Sequence, residues 1–96
     1  MDNFLDRLRN WQFNSMDDFH ALIGELQKRF EPYGRVWEED GRVKVATGGW
    51  SDNEEMITAL QGNFMFWAMF WESSHRGGLF VFRPVSLRQT SLNAEG

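Results

Sequence analysis

The sequence has no cysteine, only two prolines and a single tyrosine. Without cysteine the chain forms no disulfide framework and no thiolate zinc site, and it has no thiol nucleophile. No apolar run approaches the length that spans a membrane, and the amino terminus lacks the basic and continuous apolar segments of a signal peptide. These absences favour a cytoplasmic protein without membrane association.

Positive charge is also scarce: 10 Lys and Arg against 14 Asp and Glu give a net charge of −4. Because neutralisation of the phosphate backbone supplies most non-specific affinity for nucleic acid, a nucleic-acid partner is not expected. Aromatic residues, at 16%, are abundant. The 96 residues are enough for one domain with a modest core, predicted to cover residues 1–84. The polar residues 85–96 are predicted to form a flexible tail.

Two helices are predicted in the first third of the chain. Residues 2–11 carry apolar side chains at spacings of three and four, which is typical of a short amphipathic helix. Ser15 and Asp18 have the spacing of a capping box, and Pro32 marks the end of the helix that follows. The apolar stripe of this second helix is Met16, Phe19, Leu22, Ile23, Leu26 and Phe30.

Asp40-Gly41 is the strongest hairpin signal in the chain, flanked by predicted strands at residues 35–39 and 42–46. A two-residue turn pairs Glu39 with Arg42 and brings Val36, Val43 and Val45 to one face, which should lie on the long helix. The other face is basic and carries an aromatic side chain; it consists of Arg35, Trp37, Arg42 and Lys44.

Residues 47–83 hold three of the five tryptophans and both Gly-Gly pairs. Ser51 and Glu54 form a second capping-box pattern, which predicts a helix from Asp52. Gly62 is expected to end that helix in a left-handed conformation. Residues 63–71 are then apolar without alternation, and their aromatic content favours a strand buried on both faces.

Residues 73–78 read as a turn and residues 79–83 as the antiparallel partner of that strand, ended by Pro84. The predicted order is therefore αα-ββ-α-ββ: an α+β domain with two N-terminal helices, a β-hairpin, a short helix and a second β-hairpin, in which the strands form a four-stranded antiparallel sheet. Either the three short helices cover both faces of so small a sheet, or helices cover one face and part of the apolar strand stays uncovered. Such a face is typical of a protein contact or of self-association.

The sequence letters TGGWSDNE, FW, W and SSHRGG, in that order, resemble a pattern shared by small uncharacterised bacteriophage and prophage proteins, roughly TGGWSxNE, FW, W and SxRGGH. The match covers about the last two fifths of the folded chain. His75 stands where that family often has Arg, and Leu79 stands where it often has His. The resemblance implies a phage or prophage setting and carries no established activity.

The aromatic and glycine-rich positions of this stretch are the candidate binding residues: Trp50, Trp67, Trp71, His75, Arg76, Gly77 and Gly78. Gly48-Gly49 before a helix is a possible phosphate cradle, but the carboxylates of Asp52, Glu54 and Glu55 would repel an anion, so a tight bend is favoured. Trp50 is expected in the core. Either an exposed hairpin turn or an anion site accounts for residues 75–78.

Catalysis has little support because the chain has only two histidines, His20 and His75, and His20 is expected to be partly exposed. A cluster of Glu54, Glu55, Glu72 and His75 would be needed for a small hydrolase or nuclease. No metal or other cofactor is predicted. Three hypotheses result. The first is a non-enzymatic module that binds a host or phage protein. The second is a binder of a small anionic ligand or nucleotide at Arg35, Trp37, Arg42 and Lys44, helped by the SHRGG turn with His75 and Arg76, and the third, less favoured, is the hydrolase.

Overall fold

The computed structural model describes residues 3–30 and 34–84. Its elements are, in chain order, α1 (Phe4–Arg9), α2 (Met16–Arg29), β1 (Arg35–Glu39), β2 (Arg42–Ala46), α3 (Ser51–Gln61), α4 (Phe64–Phe70), β3 (Trp71–His75) and β4 (Leu79–Phe82). The strands form one four-stranded sheet in the order β1-β2-β4-β3, with antiparallel neighbours throughout. The predicted α+β class and antiparallel sheet are confirmed. The predicted tail and Pro32 lie outside the described residues.

Helix α2 forms where its apolar stripe predicts it. The Asp18 carboxylate accepts hydrogen bonds from the backbone N–H of Asn14 (2.8 Å) and of Ser15 (3.2 Å), so donors at the start of the helix are satisfied. The helix ends at Arg29, and Phe30 is already extended. The stripe is buried in the core through Phe19, Leu22, Ile23 and Leu26.

The first hairpin has the predicted register, with Val36 opposite Val45 and Glu39 opposite Arg42. Asp40 and Gly41 both have positive φ, 54° and 74°, as a tight two-residue turn of this hand requires. Strand β4 pairs with β2 so that Phe82 lies opposite Val43 and Phe80 opposite Val45. These side chains share the face of the sheet that contributes to the core.

The main correction concerns residues 63–71, which were predicted as one strand: only Trp71 belongs to a strand, as the first residue of β3. Residues 64–70 form α4, and Asn63 caps it: its Oδ1 accepts from the backbone N–H of Phe66 at 3.1 Å. The Asn63 Nδ2 donates to the carbonyl oxygens of Leu8 (2.7 Å) and Trp11 (3.1 Å). Asn63 therefore caps α4 and also binds one carbonyl in the last turn of α1 and one just beyond that helix.

Helix α4 buries only one side, through Phe66 and Phe70, which are four residues apart. The Phe66 ring stacks on Phe19 at 6.2 Å and packs obliquely on Phe82 at 5.0 Å. A helix places these two phenylalanines in the core and satisfies its own backbone, whereas a strand buried on both faces needs cover that this small chain does not supply. The tertiary contacts therefore override the strand preference of the aromatic residues.

Three smaller predictions also change. The N-cap of α3 is Trp50, whose carbonyl accepts from the Glu54 N–H at 3.0 Å, so Ser51 is the first helical residue and not the cap. Gly62 is right-handed, with φ −76°, because the chain enters α4 two residues later. Strand β3 extends to His75, which leaves residues 76–78 as the turn.

Candidate functional site

The predicted binding residues do not form one site; they fall on three surfaces. The α4 face consists of Phe64, Met65, Ala68 and Trp71, with Trp67 beside them. The double-glycine end consists of residues 47–50 and 76–78. The outer sheet face, which is the face opposite the core, carries Arg35, Trp37, Arg42, Lys44, Ser73 and His75, as the strand registers place them.

The α4 face is the exposed side of a short helix. Each helical residue advances by about 100°, so Ala68 lies directly opposite the buried side marked by Phe66 and Phe70. Around Ala68 the solvent-exposed fractions are 81% for Phe64, 50% for Met65 and 43% for Trp71. No residue of Phe64–Phe70 is charged. The predicted uncovered apolar surface therefore lies mainly on a helix, with Trp71 at the start of β3 as its last member.

Trp67 and Trp71 form a fixed border of this face. Their rings stack with centroids 6.0 Å apart and an interplanar angle of 16°. The Trp71 Nε1 donates to Ser74 Oγ at 2.9 Å, and Trp67 packs edge-on against Phe82 at 5.6 Å. Ser74 fixes the indole of Trp71 and Phe82 fixes that of Trp67, so the two rings should lose little side-chain entropy when a partner binds.

Arg83 lies at the carboxyl end of the α4 face. Its backbone N–H donates to the carbonyl of Phe70 at 2.7 Å, and Phe82 just before it pairs with Trp71. The residue is exposed, and within residues 3–30 and 34–84 it forms no salt bridge. The backbone of Arg83 therefore adjoins the carboxyl end of α4.

At the double-glycine end, the two glycine-rich turns are in direct contact. The Thr47 N–H donates to the carbonyl of Gly78 at 3.0 Å, and buried Asn53 donates through Nδ2 to the Thr47 carbonyl at 2.9 Å. Gly78 has φ +79°, and a Cβ at this position would collide with Thr47 Oγ1. Glycine at position 78 is therefore required by backbone conformation and by close packing.

The same contacts argue against a phosphate cradle at Gly48-Gly49. The Gly49 N–H donates to Thr47 Oγ1 and the Trp50 N–H donates to the Thr47 carbonyl, both at 3.4 Å. Both glycines have positive φ, which agrees with the tight bend favoured from sequence. Trp50, expected in the core, is 40% exposed, because as the N-cap it precedes the buried part of α3.

A small cleft separates α3 from β4 beside this end. Its volume is about 180 Å³, and its lining residues are Thr47, Glu54, Ile57, Thr58, Gln61, Gly78 and Phe80. The α3 residues of the lining follow a spacing of three and four, so one stripe of the helix faces the cleft. No local sequence pattern indicates this cleft, because Gly78 and Phe80 belong to the second hairpin and meet α3 only in the folded chain.

On the outer sheet face two of the three hairpin cations, Arg42 and Lys44, are paired with carboxylates. Arg42 Nε lies 3.2 Å from Glu72 Oε1, and Lys44 Nζ lies 2.8 Å from Glu39 Oε1. The Arg35 guanidinium lies 4.5 Å from the ring centroid of Trp37. The hydrogen bond from Lys44 lowers the pKa of Glu39, with a smaller contribution from the Trp37 N–H. An anionic ligand would therefore have to displace existing ion pairs.

A Ser–His contact lies on the same face: Ser73 Oγ and His75 Nε2 are 2.9 Å apart. A catalytic pair also needs a group that orients the histidine, and none of the described residues hydrogen-bonds its other ring nitrogen. Glu72 is bound to Arg42, and no group of three His, Cys, Asp or Glu suited to a metal occurs within residues 3–30 and 34–84. His20 is exposed, as expected, and packs edge-on against Phe19.

None of the described helices is both long and apolar enough to cross a membrane. Comparison of the chain with protein-family models, with curated proteins and with solved structures finds no match.

Proposed function

We propose that this chain is a small phage or prophage accessory protein that acts as a non-enzymatic binding module in the host cytoplasm and engages a host or phage protein through the α4 face. The phage setting rests on the sequence resemblance. The observation that supports binding is the uncharged exposed face around Ala68, with Phe64 81% exposed. Contiguous exposed aromatic and methionine side chains are typical of protein contact surfaces.

The size of the α4 face argues for a particular kind of occupant. Aromatic side chains have areas of roughly 150–250 Å², so the exposed parts of Phe64, Met65 and Trp71 amount to a few hundred Å². A stable contact between two folded domains buries about 800 Å² on each partner. The face therefore suits one short segment of a partner, laid over Ala68 between Phe64 and Trp71.

Charge defines this segment further. The central residues of the face offer no ionic contact, so the segment should be apolar where it crosses Ala68. At the carboxyl end of α4 the exposed Arg83 is available to a carboxylate of the partner. The proposed occupant is thus an amphipathic segment with an acidic residue at one end.

A capture experiment with matched variants tests the proposal. The full chain, Phe64→Ser and Trp50→Ser are each used to capture proteins from the host, and the partner identified is then purified and titrated calorimetrically. Both substitutions remove an exposed aromatic side chain, but only Phe64 belongs to the α4 face. Wild type and Trp50→Ser should bind the purified partner, and Phe64→Ser should not. Equal binding by all three proteins would refute the assignment of this face.

The anionic-ligand hypothesis gives the opposite pattern. Reversing the charge of Arg42 and Lys44 should abolish nucleotide binding and should leave partner binding through the α4 face unchanged.

For the hydrolase hypothesis, the relevant change is the combined replacement of His75 and Glu55. An activity that survives it does not use those residues.

A further inference from the structure

We propose that the cleft between α3 and β4 binds an alkylammonium group of the size of a lysine side chain, with the ammonium at Glu54 and the alkyl stem on Ile57 and Phe80. The cleft contains no residue of the α4 face, so this site is independent of the proposed protein contact. The proposal rests on the shape of the cleft, the chemistry of its rim and its volume.

The cleft has an apolar floor. Ile57 on α3 is buried and Phe80 on β4 is half-buried, and both line the cavity. Gly78 contributes no side chain to the opposite wall, and its contact with Thr47 holds that wall in place. A chain of methylene groups fits such a floor because its transfer from water to apolar surroundings is favourable by about 0.8 kcal/mol per CH₂.

The α3 side of the cleft offers hydrogen-bond acceptors. Glu54, Thr58 and Gln61 follow one another along one stripe of the helix and line the cavity. Thr58 Oγ1 donates its proton to the Glu54 carbonyl at 3.1 Å, so the lone pairs of this hydroxyl are left to accept. With the Glu54 carboxylate and the Gln61 side-chain oxygen, three acceptors match the three donors of a primary ammonium.

Charge favours a cation at this position. Glu54 is exposed and forms no salt bridge within the part of the chain that the structure describes. The whole chain has a net charge of −4, which attracts cations at long range. The planar five-donor guanidinium of arginine fits a row of single acceptors less well than an ammonium does.

The volume limits the ligand to a fragment. About 180 Å³ lies below the roughly 300–1,000 Å³ of sites that enclose a whole small molecule. A single side chain or a short amine is the appropriate size. The alkylammonium could come from a lysine of a peptide or from a free amine, and the two sources need separate probes.

The test is a titration of the full ¹⁵N-labelled chain followed by NMR. The probes are Nα-acetyl-lysine N-methylamide, the uncharged analogue Nα-acetyl-norleucine N-methylamide, and 1,5-diaminopentane. The lysine amide or the diamine should saturate shifts of the amides around the cleft, and the norleucine amide should bind about tenfold more weakly because it lacks the charged donor. The tighter of the two amines identifies the source.

Glu54→Gln and Glu55→Gln form a matched pair, since both remove one exposed carboxylate from the same turn of α3 and only Glu54 lines the cleft. Glu54→Gln should weaken binding about fivefold to tenfold, and Glu55→Gln should leave it unchanged. The unperturbed part of each spectrum reports folding. Equal binding of the lysine and norleucine amides, equal effects of the two substitutions, or no saturation by either amine would overturn the assignment. These results leave the proposed contact at the α4 face untouched, because that contact is tested separately by comparing partner binding of wild type and Phe64→Ser.

Discussion

The two hairpins of the sheet differ in where their conformation is decided. The first is closed by Asp40-Gly41, and its register follows from that turn and the alternation on either side. The second has a bulge between Trp71 and Ser73, and its turn is held by the bond from Thr47 to Gly78, far away in sequence. Local patterns therefore predict the first hairpin in full, but of the second they predict only β4 and not where β3 begins.

The difference extends to α4, which leads directly into the second hairpin. Its start depends on Asn63, whose amide binds two carbonyl groups more than fifty residues earlier in the chain. Its carboxyl end is bound by the Arg83 N–H. The proposed contact surface, the α4 face, belongs to this second region. The two hairpin regions can therefore be compared through protein stability as well as through binding.

The largest effect is expected from Phe66→Ala, compared with Phe64→Ala. In a strand these residues would share a face, whereas in α4 one is fully buried and the other is 81% exposed. Phe66→Ala should lower the free energy of unfolding by about 4 kcal/mol, because it leaves a cavity among aromatic rings. Phe64→Ala should change it by less than about 0.5 kcal/mol. Urea denaturation measures both, and similar losses would argue for a strand.

Gly78→Ala and Gly41→Ala compare the two turns directly. Both glycines have positive φ, but a Cβ at Gly41 has nothing within 4 Å and a Cβ at Gly78 collides with Thr47. Gly41→Ala should therefore cost about 1 kcal/mol, from backbone strain alone. Gly78→Ala should cost about 3 kcal/mol, because the collision adds to the strain. Thermal denaturation followed by circular dichroism gives the order, and equal losses would contradict the close contact.

Asn63→Ala tests the long-range anchor of α4. It removes the cap and leaves the carbonyls of Leu8 and Trp11 without this donor, so stability should fall by about 2 kcal/mol. Asn10→Ala is the control, since the exposed Asn10 side chain donates to the carbonyl of Asp6 within α1. Its loss should be about 0.5 kcal/mol or less. Amide hydrogen exchange in α4 should accelerate in Asn63→Ala only.

The smallest effect concerns pH and the first hairpin. Lys44 lowers the pKa of Glu39 below its ordinary 4.5 in the folded chain, so the pair stabilises the fold above pH 4.5 and this contribution is lost as pH falls through the lowered pKa. The Glu39 carboxyl, followed by ¹³C NMR, should titrate below 4.5 and move back upward in Lys44→Met. An unchanged midpoint in that variant would show that the ion pair does not control the pKa.

Much of the fold was accessible from the sequence. The Phe19-to-Leu26 stripe of α2 and the Asp40-Gly41 turn are signals spanning a few residues, and both were interpreted correctly. For α4, two signals were present but outweighed by aromatic content: Asn63 is a favoured N-cap residue, and Phe66 and Phe70 are four apart. These two signals become decisive only through contacts with Leu8, Trp11 and Phe82, which are distant in sequence and therefore absent from any local pattern.

The candidate surfaces were predicted in part. Trp67 and Trp71, candidate binding residues from the sequence, both border the α4 face, whereas the exposure of Phe64 and Ala68 follows only from the helix. The outer face was correctly read as holding Arg35, Trp37, Arg42 and Lys44 together, while its neutralisation by Glu72 needed the pairing of distant strands. The cleft at Glu54 forms only where α3 meets β4, so a local sequence pattern does not predict it.

By itself, the sequence determined the class of the fold, the long helix, the first hairpin and the presence of more aromatic side chains than a small core conceals. These features follow from periodicity and turn chemistry, which act between near neighbours. The tertiary structure decided that residues 64–70 coil, which of their aromatics face solvent, and which cations are neutralised. Those outcomes depend on hydrogen bonds and packing between residues 30 to 55 positions apart, where the energy of the contact outweighs local preference.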